Sequence, residues 1–122
     1  GFDRFVVAGF GEEVLQIFVQ ETLKEMVKLE NHLTSLETDK KIVVMHYSPI
    51  SETLEGEPRE IHAFLGCSRF ADTIDRFMPL YVFHGHAHHG KIKGHTAKGV
   101  PVYNCSREVL KTNSMEYLLL EI

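Results

Sequence analysis

The sequence has no tryptophan, only two cysteines and four prolines, and no long apolar run. Each shortage excludes something. Cys67 and Cys105 stand among apolar or turn residues without Cys-x-x-Cys spacing, which excludes a disulfide framework and a redox dithiol. They read as the reduced thiols of a cytoplasmic protein. The longest apolar stretches, such as Phe5 to Phe10 and Ile42 to Met45, fall far short of the ~20 residues a membrane span needs. No charged-then-apolar signal sequence opens the chain. Basic excess is missing too: 13 Lys+Arg against 17 Asp+Glu give a formal charge of −4. That balance, with no basic-aromatic stripe, argues against nucleic acid or an anionic membrane surface as a partner. What is left, at 122 residues and 43% hydrophobic content, is one globular domain over residues 1–122 that can bury a core without staples.

What the chain has in excess is histidine, eight in all, with four of them between His84 and His89. Composition therefore points to a metal site before any motif is named.

Along the chain, Gly1 to Gly11 reads as an irregular lead-in or short strand. From Glu12 the pattern is helical: Leu15, Val19, Thr22, Met26, Leu29, Leu33 and Leu36 recur at steps of four and three, with charges on the other faces. This predicts an amphipathic helix on a sheet, with a short coiled-coil seam as the alternative. Ile42-Val43-Val44-Met45 and Leu80-Tyr81-Val82-Phe83 are uninterrupted apolar runs of the kind that form strands buried on both faces. Between them, Ser48 to Pro58 reads as a mobile acidic loop carrying Glu52, Glu55 and Glu57. Those three are expected to be solvated, or else to serve as lid residues or substitute metal ligands. Glu60 to Phe77 is helical in period, split at Gly66, with Ser68 capping the second piece. After the histidines, Lys91 to Thr96, Val100 to Cys105 and Met115 to Ile122 read as an antiparallel meander with turns at Lys98-Gly99 and Thr112-Asn113. The fold class is α/β with a mixed sheet.

Chemistry gathers where apolar strands deliver histidine at their C-terminal ends, the usual place for ligand sites in α/β sheets. In Gly85-His86-Ala87-His88, glycine is expected to give the sharp turn and the small Ala87 to leave room between two imidazoles aimed at one cavity. His46, at the end of the other strand, is expected to converge on the same place. His84 and His89 are candidates for outer-shell or substrate contacts. Arg59 and Arg69 are candidates for phosphate contact, since guanidinium binds phosphate in bidentate fashion. Tyr47 and Asn104 are candidate pocket residues. His32, His62 and His95 read as surface positions.

Val44-Met45-His46-Tyr47-Ser48-Pro49 followed by Val82-Phe83-His84-Gly85-His86-Ala87-His88 resembles the C-terminal half of the calcineurin-like metallophosphoesterases, over roughly Lys41 to Cys105. His46 and Pro49 match that family's lone His-x-x-Pro, and Gly85, His86 and His88 match its Gly-His-x-His signature. The resemblance implies half of a helix-flanked two-sheet (αββα) sandwich, with helices on one side of a mixed sheet. It implies divalent metal ions (manganese, zinc or iron, two in the complete family site), with His46 and His86 on the second metal and His88 on the first. It also implies hydrolysis of a phosphate ester by metal-activated water, without a covalent intermediate. The family's Asp-x-His, Gly-Asp and Gly-Asn-His motifs do not occur, and Asn31-His32 sits mid-helix without the glycine. Three histidines suffice for one zinc with an open position but not for a two-metal centre. The abrupt apolar start without an initiating methionine points to a fragment of a longer phosphoesterase as the expectation. The alternative is a catalytically incomplete metal-binding or assembly module. Half a sandwich leaves an apolar sheet face open, so homo-oligomerisation, or pairing with the missing N-terminal half, is expected.

Overall fold

The computed structural model describes residues 12–59, 62, 66 and 68–122. The readings made for Gly1 to Gly11 and for most of Glu60 to Cys67 lie outside them. The first helix, α1, runs Glu12–Ser35. It is followed by strand β1 (Ile42–Met45), a 3-10 turn at Glu52–Leu54, and helix α2 (Arg69–Phe77). Strands β2 (Tyr81–His84), β3 (Lys93–His95) and β4 (Pro101–Asn104) come next, and helix α3 (Arg107–Thr112) closes the regular structure. The four strands form one mixed sheet in the order β1-β2-β4-β3, so the chain is an α/β protein.

The stripe on α1 packs on the sheet. Thr22 and Leu33 are buried, and Met26 and Leu29 lie half-buried against the core, while Val19 and Leu36 are exposed. Lys41 ties the far end down, donating to the Leu33 carbonyl at 3.2 Å, where the helix leaves its last carbonyls without intrahelical partners. At 24 residues α1 is about 36 Å long, against about 13 Å for four-residue β1, so its first turns overhang the C-terminal ends of the strands. In α2, Phe70 and Ile74 face the same core, and Arg76 reaches Glu30 of α1 at 2.8 Å. Both partners of that ion pair are half-exposed, so it contributes under about 1 kcal/mol, and the buried apolar groups do the holding. Ser68 precedes α2 in helical conformation without a side-chain cap bond, contrary to the cap expected there. Met78, with φ +47°, ends the helix in the left-handed position.

Register explains the layers. Val43 pairs with Val82, and Val82 with Val102, all parallel, which puts a row of valines against Leu33, Phe70 and Ile74. The alternate row is Val44, Phe83 and Tyr103, with the Phe83 and Tyr103 rings stacked at 5.9 Å. Burial of β1 on both faces is not what forms. Ile42 is 39% and Val44 78% exposed, so the β1 end of that face lies open, while Tyr103 in the same row is buried.

The C-terminal meander is corrected as well. β4 lies between β2 and β3 and runs parallel to β2, since that register carries Val102 into the valine row. Only the β3–β4 pair is antiparallel, turning at Lys98-Gly99 with Gly99 at φ +90°. Thr112-Asn113 is the end of α3 rather than a hairpin turn. Met115 to Ile122 forms no strand. It runs back to β2 in irregular conformation, where the Tyr81 hydroxyl donates to the Glu121 carbonyl at 2.9 Å. Leu118 and Leu120 are half-buried while Tyr117, Leu119 and Ile122 are exposed, so the alternation survives but no ladder partner is present among the described residues. No described helix is long and apolar enough to cross a membrane.

Candidate functional site

β1 and β2 are parallel neighbours, so both release their chains at the same end of the sheet. His46 follows β1 and His84 closes β2, and the Gly85 N–H donates to the His46 carbonyl at 3.3 Å. This crossover brings the rings of His46 and His86 to 4.5 Å between centroids at an interplanar angle of 38°. Tyr47 stands edge-on to both, at 4.7 Å from His46 and 5.4 Å from His86, and Phe18 of α1 closes on Tyr47 at 5.2 Å. Two imidazoles from adjacent strands therefore converge beside the overhanging part of α1.

The turn itself differs from the expected one. His86, not Gly85, takes the left-handed conformation, with φ +68°. A side chain at position 85 would meet open space, whereas the conformation at His86 costs a non-glycine residue about 1 kcal/mol or more. Such a conformation persists only where its surroundings fix it, and they do. Ala87 N–H donates to the Gly85 carbonyl at 2.8 Å. The Ala87 carbonyl accepts from Asn104 Nδ2 at 2.8 Å and Ser106 Oγ at 3.3 Å. His89 N–H donates to Glu57 Oε1 at 2.6 Å, and Lys91 N–H to the Thr53 carbonyl at 3.1 Å. Gly90 passes so close to Thr53 that a Cβ there would overlap its carbonyl oxygen. Ala87 is small for a different reason than expected: it is fully buried against Leu54.

Ser48 to Pro58 is thus no free loop. Ser48, Thr53, Leu54 and Glu57 are buried, and the acidic residues staple it to the chain after β2. Glu57 accepts from the His89 N–H, Glu55 pairs with Lys91, and Glu52 accepts from the His95 N–H at 3.4 Å. Glu52 and Glu55 stay exposed, as the solvated-loop reading expects, whereas Glu57 is buried and anchors the His89 backbone.

His84 is 2% exposed, with Nε2 at 2.7 Å from Thr53 Oγ1 and Nδ1 at 2.8 Å from the Gly85 carbonyl oxygen. Burial pushes its pKa down to about 4 against the hydrogen bond to Gly85, so the ring is neutral at pH 7. Asn104 is fully buried and braces the loop instead of lining a cavity. The Cys105 thiol, half-buried, has its pKa raised by burial.

Other candidates stay apart from the pair. His88 is half-exposed, with Nδ1 3.7 Å from Glu108 Oε2 on the first turn of α3. Ala87 turns inward, which leaves His88 facing α3 rather than His86. The His89 side chain is exposed, as are Arg59 and Arg69. His62 Nε2 lies 3.0 Å from the Glu57 carbonyl oxygen. Among the described residues, no group of three or more His, Cys, Asp or Glu side chains is arranged to hold a metal ion. Beside His46 and Tyr47 opens a groove of about 540 Å³ between α1 and β1, the edge strand among the described residues, walled by Glu21, Glu25 and His32. Sequence reading missed this groove and the buried Thr53–His84 contact, because both join segments distant along the chain.

No family model matches the chain, and no match is found among curated proteins or solved structures.

Proposed function

We propose that the chain carries the histidine half of a metal-dependent phosphoesterase centre of the calcineurin-like kind, acting on a phosphate ester in a cytoplasmic setting. One observation carries the reading: His46 and His86, delivered by neighbouring parallel strands, have their rings 4.5 Å apart at the C-terminal end of the sheet. Two imidazoles suit a divalent ion such as manganese, zinc or iron, and His88 would join only by turning away from Glu108. The ion would polarise the phosphoryl oxygen and lower the pKa of a bound water. Tyr47, packed edge-on against both rings, would hold their orientation.

The test is cobalt or zinc titration of the whole chain beside a His46→Ala/His86→Ala variant, with hydrolysis of an aryl phosphate diester in the same samples. Near-stoichiometric binding that the double variant loses is the expected outcome, and equal metal in both would end the reading. Metal without turnover would favour the second reading, a catalytically incomplete metal-binding or assembly module. That alternative is supported by the lack of a third converging ligand among the described residues.

Association accompanies either reading. Exposed Val44 beside half-buried Phe83 and Tyr81 gives an apolar face of the sort that folded monomers seldom leave open. The phosphoesterase reading has a further polypeptide, a second copy or another chain, supplying carboxylates to the site. Sedimentation is expected to show self-association at tens of micromolar, weakened by Val44→Glu. A clean monomer for the unmodified chain would contradict pairing between copies.

A further inference from the structure

We propose that His84 is a positioning residue: by donating from Nδ1 to the Gly85 carbonyl, and by being anchored at Nε2 through Thr53 and Ser48, it fixes the Gly85–His86 peptide and so aims the His86 imidazole at His46. This inference rests on the reading of His46 and His86 as a metal pair, although its structural part stands without metal.

Five observations carry it. His86 has φ +68°, a conformation that must be imposed by its neighbours. The carbonyl just before it accepts two hydrogen bonds, from the Ala87 N–H and from His84 Nδ1, each at 2.8 Å. A carbonyl can only accept, so Nδ1 carries the proton, and Nε2 of the neutral ring accepts from the Thr53 hydroxyl at 2.7 Å. Thr53 is in turn held, its Oγ1 lying 2.7 Å from Ser48 Oγ, which accepts the Ile50 N–H at 3.2 Å and whose own proton is shared between Thr53 Oγ1 and the Ile50 carbonyl. Ser48, Thr53 and His84 are all buried. The path therefore runs from the segment after β1, through His84 at the end of β2, to the backbone that sets His86. It links the two strand ends that carry the pair.

Asparagine and glutamine separate the two ring nitrogens, because the amide of Asn reaches the position of Nδ1 and that of Gln the position of Nε2. In His84→Asn the donor to Gly85 remains. In His84→Gln it is lost while the Thr53 contact stays. Cobalt affinity is expected to fall about 10-fold or more in His84→Gln and to stay within about 3-fold of the parent in His84→Asn, in the range seen when outer-shell partners are removed. In the metal-free chain, Ala87 amide hydrogen exchange should accelerate about 10-fold in His84→Gln, reporting the loosened Gly85 carbonyl, and no more than about 3-fold in His84→Asn, which keeps that donor but loses the Thr53 anchor. Thr53→Val should accelerate it as well, with Thr53→Ser restoring the parent rate, which provides the test should His84→Gln not fold. Equal Ala87 exchange in the Asn and Gln variants, or in Thr53→Val and Thr53→Ser, would overturn the proposal. If the parent chain binds no cobalt while exchange follows the expected order, the metal reading fails and the positioning role of His84 holds.

Discussion

Replacing Phe70 by alanine is expected to lower the unfolding free energy by about 3–5 kcal/mol, the range for buried aromatic truncations. Phe70 is buried at the start of α2, in the cluster that joins Leu33 of α1 to the valine row of the sheet. It also touches the groove beside β1. Deleting its ring removes the transfer energy of the buried carbons and leaves a cavity that α2 can close only in part, because Ile74 also holds it in the same cluster. A domain of this size has about 5–15 kcal/mol in all, so much of the chain would lose its fold near 37 °C. Urea denaturation followed by circular dichroism measures the loss. A midpoint unchanged within error would mean that the cluster around Phe70 is not the core. Because His46 and His86 depend on this sheet, the metal titration of the variant should weaken along with its stability.

Acidification is expected to destabilise the protein through His84, by up to about 3 kcal/mol. Burial depresses the folded-state pKa from the ordinary 6.5 to about 4, against the opposing hydrogen bond to Gly85. Between those values the unfolded chain takes up a proton that the folded chain refuses. Stability contributed by the neutral ring is therefore complete above about pH 6.5, falls as pH drops toward 4, and levels off once the folded state is protonated too. Comparing unfolding free energies at pH 7 and pH 4.5 for the parent and His84→Asn isolates the effect, since asparagine does not titrate. The same slope in both proteins would show that His84 is not the group responsible.

The sequence read well where a pattern is local. The middle of the stripe on α1, Thr22 to Leu33, and the apolar runs that form β1 and β2 were legible as elements, because periodicity decides which face a helix or strand can bury, although Val19, Leu36 and Val44 end exposed. Histidine at the ends of two apolar strands was legible for the same reason. The α3 helix left a signal that went unused. Ser106 stands just before its first turn with extended backbone, and Glu108 follows within that turn, an arrangement that favours a helix start.

Tertiary structure alone decided the remainder. Whether Val44 is buried depends on a second layer, and the apolar run Ile42 to Met45 looks the same with or without one. Met115 to Ile122 has the alternation of a strand, yet a strand exists only when its backbone finds a ladder, and none is offered among the described residues. Glu57 reads as a loop carboxylate until the fold brings the His89 N–H to it, 32 residues along the chain. His84 reads as one histidine among four until Thr53, 31 residues earlier, closes on its far nitrogen and burial strips its charge. Composition and spacing determined that this is an α/β chain with histidines at strand ends. Which of them meet was decided by parallel pairing of β1 and β2, since only long-range register brings two strand ends side by side.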